Sequence, residues 1–189
     1  MCGRFFIDPD DRDYAAILRR SERREAIGGA EGGEVCPGEL AVAVVRGGVP
    51  ETMRWGFKPA NGGKGLIINA RSETLAQRPM FRGSLASGRC LIPASFYYEW
   101  RRADGAKQKY ALRTEGERLF YLAALYRDQP DGRVFVVITR PASEKVAFVH
   151  ERMPLIMPYA SCAAWLDPCA DGEALLGCWQ DSPVLEEIV

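Results

Sequence analysis

The sequence is poor in histidine, in paired cysteines and in net charge. His150 is the single histidine, and the six cysteines (Cys2, Cys36, Cys90, Cys162, Cys169 and Cys178) form no CxxC pair. A zinc ribbon or finger needs closely spaced thiolate and imidazole ligands, so that class is nearly excluded, and no metal or cofactor is expected. Lysine plus arginine and aspartate plus glutamate number 25 each, for a formal net charge of zero. That balance argues against coating long duplex DNA through bulk charge, while leaving room for a local basic groove. No apolar run approaches the roughly 20 residues of a membrane span. The opening Met1-Cys2-Gly3-Arg4-Phe5-Phe6-Ile7-Asp8 turns acidic too soon for a signal peptide. A cytoplasmic protein with reduced thiols, monomeric by default, is the expectation.

What is present is ordinary in bulk. At 189 residues with 47% hydrophobic and 26% charged side chains, the chain predicts one domain, 1–189, with a core large enough to need no disulfide. A first helix is expected over 9–25, with Asp8, Asp10 and Asp11 around Pro9 and an apolar stripe at Tyr14, Ile17 and Leu18. Its Arg/Glu-rich end, Arg19 to Glu25, reads as solvated, and the glycine-rich 28–33 stretch lacks the lysine of a phosphate loop. From Leu40 the pattern is strand-like, with Gly47-Gly48 as a hairpin turn into 49–57. Further strands are expected at 65–69, 89–93, 96–102, 109–113, 119–126, 134–139 and 154–157. Short helices are expected at 72–78, 141–148, 159–166 and 172–178. Strands outnumber helices, which predicts an α+β fold: a largely antiparallel, barrel-like sheet with flanking short helices.

Five places in this pattern can carry chemistry. With Met1 removed, Cys2 has both an α-amine and a thiol, whose unperturbed pKa values of about 8 leave part of each nucleophilic near neutral pH. Such a pair condenses with an aldehyde to an imine and then closes a thiazolidine ring; an accidental terminal cysteine is the plain alternative. Asn69-Ala70-Arg71 ends an apolar run, so these polar residues either enter a site or cap the next element. Glu99 lies in the aromatic strand Phe96-Tyr97-Tyr98-Glu99-Trp100, where a carboxylate is either ion-paired or shifted toward acid–base use. His150 is the one side chain that ordinarily titrates near neutrality, in a structural or a catalytic role. Trp55-Gly56-Phe57-Lys58 is either a stacking surface or core.

Six segments occur in a telling order: Met1-Cys2-Gly3-Arg4-Phe5, Trp55-Gly56, Asn69-Ala70-Arg71-Ser72-Glu73-Thr74, Arg89-Cys90-Leu91-Ile92-Pro93-Ala94, Phe96-Tyr97-Tyr98-Glu99-Trp100 and His150-Glu151-Arg152-Met153-Pro154. In these the chain closely resembles the SOS response-associated peptidase (SRAP) family of abasic-site processing proteins. The resemblance implies a β-rich α+β fold with a basic groove for single-stranded DNA carrying an abasic site. It also implies a covalent DNA–protein crosslink through Cys2, acting in the cytoplasm at the nucleoid. By resemblance, Cys2 is the nucleophile, Asn69 orients it, Glu99 assists proton transfers and His150 acts on the sugar. Arg71 and Arg4 hold phosphates, with Arg152 and Trp55 as further DNA contacts. The chain departs from the family where Phe96-Tyr97-Tyr98 replaces a glycine before Phe-Tyr-Glu-Trp, where Phe57 replaces leucine, and at Thr139-Arg140-Pro141-Ala142-Ser143. Two other readings stay open at this point: an N-terminal-nucleophile amidase with Cys2 as its catalytic group, and a non-catalytic single-strand binder.

Overall fold

The computed structural model describes residues 2–20, 32–59, 62–103, 105–178 and 184–188. In chain order its elements are β1 (Phe5–Ile7), α1 (Arg12–Arg19), β2 (Gly33–Val35), β3 (Leu40–Val45), β4 (Val49–Trp55), β5 (Asn69–Arg71) and α2 (Pro79–Ser87). There follow β6 (Arg89–Ala94), β7 (Phe96–Ala103), β8 (Ala106–Thr114), β9 (Phe120–Gln129), β10 (Gly132–Pro141), β11 (Arg152–Pro154) and β12 (Ile156–Met157). The last are α3 (Cys162–Leu166), α4 (Gly172–Cys178) and β13 (Val184–Ile188).

Strands β10, β4, β3, β6 and β9 pair in that order, and β9 pairs back onto β10, so the sheet closes into a five-stranded barrel. Only the β4–β10 seam is parallel, with Phe135 opposite Trp55; the other four are antiparallel. Closure leaves no open edge within the barrel. It also explains why its strands read as near-continuous apolar runs, such as Leu40–Val45. The second sheet, β13-β8-β7-β1-β2, is antiparallel. The α+β, barrel-like fold expected from sequence is the fold observed.

Three helical expectations are corrected. The first helix starts at Arg12, because the Asp11 carboxylate accepts from the N–H groups of Asp13 and Tyr14 and caps it there; the Arg/Glu-rich run beyond residue 20 lies outside the described residues. The helix expected at 72–78 is a run of turns, and α2 begins instead at Pro79, which suits a first helical position and biases Arg78 toward extended backbone. Residues 141–148 form turns whose bonds alternate between three- and four-residue closures, Val146 N–H to Ser143 and Ala147 N–H to Ser143. Among the described residues no helix is long and apolar enough to cross a membrane.

The strand that organises the site is β10. Its first half borders β4; its second half takes β5 alongside in parallel, Asn69 opposite Val137 and Arg71 opposite Thr139. Its end also pairs antiparallel with β11, Pro141 opposite Arg152. Two of the six segments thereby meet at one barrel rim, though about 80 residues separate them.

Candidate active site

Cys2 precedes β1, which lies antiparallel to β7 with Phe5 opposite Tyr97. The Tyr98 N–H donates to Arg4 O at 2.8 Å, which keeps the first residues alongside the Tyr98–Glu99 stretch. From the rim of the barrel, Asn69 Nδ2 donates to Cys2 O at 2.8 Å. Cys2 is 0% exposed and Glu99 4% exposed, so both chemical groups lie inside the protein. Burial first, and then the negative charge of Glu99, pushes the Cys2 thiol up to about 12. The expectation of a partly ionised Cys2 at neutral pH is thereby corrected: the resting group is a thiol, and it must lose its proton during reaction.

Polar atoms around this point are left without partners among the described residues. Asn69 Oδ1 is buried and unbonded, and so is the Tyr97 hydroxyl. Buried orphans of this kind are rare in native interiors and mark places built for something else.

His150 sits between the turns after β10 and β11. Its Nδ1 accepts the main-chain N–H of Arg152 at 2.9 Å. That bond fixes the tautomer: the lone pair is on Nδ1 and the ring hydrogen is on Nε2.

Arg152 is 8% exposed, and its guanidinium is already committed. Nη1 pairs with Glu73 Oε1, Nη2 donates to Glu73 Oε2 at 2.9 Å, and Nη2 also reaches Thr139 O at 2.8 Å. The side-chain bond from Arg152, outweighing the opposing effect of burial, draws the Glu73 carboxyl down to about 2. Arg152 is therefore a strut between β11 and the turn after β5, and its sequence-based role as a DNA contact is corrected. Trp55 is corrected likewise. It is 0% exposed, with Phe5 at 5.1 Å and Phe135 at 6.0 Å between ring centroids, and its Nε1 donates to Ile68 O. No base can stack on it; it is core.

The other two cations differ. Arg71 ends β5 and is exposed, with no ion-pair partner among the described residues. Arg4 pairs with Glu34 at 3.0 Å and lies over the Trp100 ring at 5.3 Å. Lys109 reaches the other Glu34 oxygen at 3.5 Å and sits 3.8 Å from the Tyr98 ring centroid. One carboxylate thus bridges two cations on an aromatic surface, a geometry suited to a bridging phosphate.

Asn69 at the barrel rim bonds the main chain of Cys2, whose thiol feels the charge of Glu99, and the family profile described as SOS response associated peptidase (SRAP) matches residues 1–186. The chain belongs to the SRAP family. This SRAP chain is 32% identical over 187 residues to abasic site processing protein YoqW of Bacillus subtilis (strain 168), covering 89% of the chain and 81% of YoqW. It is 27% identical over 180 residues to abasic site processing protein YedK of Escherichia coli (strain K12), covering 88% and 79%. A crystal structure of a Bacteroides thetaiotaomicron protein shares the fold, with a TM-score of 0.83 at 19% identity, covering 100% of this chain and 92% of that one. Within the SRAP fold of this chain, Tyr97, Glu73, Thr139, Glu34 and Lys109 are site neighbours that sequence reasoning missed. Only Glu73 carried a signal, through its place two residues after Arg71.

Proposed function

We propose that this SRAP chain captures abasic sites in single-stranded DNA as a covalent adduct on Cys2 after Met1 is removed. The observation that carries this reading is the Asn69–Cys2 hydrogen bond, which fixes the residue whose nitrogen and sulfur would react. The names of the relatives, abasic site processing proteins, support the substrate class. The peptidase of the family description fits the release of Met1, which frees the amine.

An abasic deoxyribose is mostly a closed hemiacetal, and its open aldehyde is the reactive form. Glu99 relays protons, and His150, a neutral donor through Nε2, holds the sugar oxygen as the ring opens. The neutral Cys2 amine adds to C1′ with Asn69 Oδ1 as its acceptor, and the carbinolamine loses water to give an imine. The thiol then adds to the imine carbon, its proton passing to the nitrogen, and a thiazolidine results. Each positioned proton transfer contributes about 10²–10⁴-fold, and holding amine and aldehyde together supplies much of the rest. Closure protects the strand, because a lingering imine eliminates the 3′ phosphate. Arg71 and the Arg4–Lys109 pair supply phosphate contacts. A few contacts on a neutral protein give a modest salt slope and little base specificity.

The test incubates wild type and Cys2→Ala with intact and abasic single strands on a denaturing gel. A heat-stable band with wild type and abasic DNA alone supports the reading; the same band from Cys2→Ala contradicts it.

A further inference from the structure

The Tyr97 hydroxyl is a buried polar group that the steps above leave unused. The residue is 0% exposed, and its hydroxyl oxygen has no hydrogen-bond partner among the described residues. A phenylalanine would fill the same volume without the cost of an unmade bond. Tyr97 and Glu99 are two apart on β7, so their side chains leave the same face of the strand. Phe5, opposite Tyr97, holds the Cys2 end of the chain alongside β7, and the buried Cys2 is near enough to act electrostatically on the Tyr97 hydroxyl. Burial above all, with the neighbouring Cys2 and Glu99 after it, holds the hydroxyl well above the ordinary tyrosine range, so it remains an O–H donor at any working pH.

We propose that Tyr97 donates a hydrogen bond to the Cys2 sulfur during thiazolidine closure. This rests on the capture reading above and names a group that serves its last step. In that step the S–H proton passes to the Glu99 carboxylate, and a sulfur lone pair forms the C1′–S bond. The C=N π pair moves to nitrogen, which takes the proton back from Glu99. Atoms and electrons balance with no further reactant. Sulfur carries negative charge only midway; the starting thiol and the final thioether are weak acceptors. A donor fixed at the sulfur therefore binds the transition state more strongly than either end state. The need for one follows from the burial that keeps the resting Cys2 protonated.

The experiment compares Met1-processed wild type and Tyr97→Phe on an abasic oligonucleotide, quenched with and without borohydride over time. Imine formation proceeds at the wild-type rate, while closure to the borohydride-insensitive adduct slows by about ten- to a hundredfold, the usual effect of one donor at developing charge. Strand cleavage by β-elimination rises in step. The melting temperature of Tyr97→Phe rises by about 2–4 °C, as loss of an orphan polar group worth about one hydrogen bond predicts for a chain of this size. Closure at the wild-type rate overturns the proposal. So does a lower melting temperature or failure to fold, because either means the hydroxyl is bonded structurally. Absence of any adduct from wild type instead contradicts the capture reading itself, so the two failures are distinguishable.

Discussion

Asn69 Nδ2 donates to the main-chain oxygen of Cys2 at 2.8 Å, joining residues 67 positions apart. The bond ties the first residues of the chain to the rim of a closed barrel, through the parallel pairing of β5 with β10. A group at a chain end is otherwise prone to fray. Asn69→Ala is expected to cost about 0.5–1.5 kcal/mol, the net worth of one hydrogen bond. It is expected to slow crosslinking by about 10²-fold through misplacement. Thermal melting and adduct kinetics measured on the same preparation check both.

The Glu73–Arg152 pair gives a pH signature. Arg152 holds Glu73 down at about 2, below its unfolded value. A lowered carboxyl pKa means the contribution is complete above about pH 4.5 and is lost as pH falls toward 2. Glu73 is half-exposed, so the contribution is about 1 kcal/mol after solvent screening. Glu73→Gln is expected to flatten this part of the acid limb in denaturant melts from pH 6 to about pH 2. Arg152→Met is expected to destabilise while leaving the salt slope of DNA binding unchanged, because the guanidinium faces Glu73 and Thr139.

Trp55 separates core from binding surface. Trp55→Ala is expected to cost about 3–5 kcal/mol, as for other large buried aromatics. Trp55→Phe is expected to fold and to crosslink at the wild-type rate. Loss of single-strand affinity in a folded Trp55→Phe, read by anisotropy, would return this residue to the DNA surface.

Glu34 pairs with Arg4 and Lys109, the cations proposed to meet DNA phosphate, and would compete with it. Glu34→Gln removes that competitor, and single-strand affinity is expected to rise about twofold to fivefold at low salt, in keeping with the ~0.2–1 kcal/mol of an exposed pair. The difference is expected to shrink as added salt screens the pair. A salt titration of both proteins checks it.

Much of this was legible in the sequence, for physical reasons. Barrel strands buried on the inside announce themselves as apolar runs, so Leu40–Val45, Arg89–Ala94 and Val134–Thr139 were readable to within two residues at each end. Short strands were not: β1, β2 and β5 span three residues each and are defined by partners far away in sequence. The site followed the same division. The family resemblance pointed to Asn69 and Cys2 together, and the hydrogen bond from Asn69 to the Cys2 main-chain oxygen places them side by side. Burial is what sequence alone could not supply. Trp55 and Arg152 belong to motif segments, yet one is packed between aromatic rings and the other is locked onto a carboxylate. Tyr97 was hidden for the opposite reason, since a tyrosine in an aromatic strand gives no sign that its hydroxyl is unbonded.

The most direct test is intact-mass analysis of the purified protein before and after exposure to an abasic oligonucleotide, followed by peptide mapping of the adduct. The account predicts a chain lacking Met1 that gains the oligonucleotide mass less one water, with the attachment on Cys2. An adduct on a chain that retains Met1, or attachment at any other side chain, would contradict it.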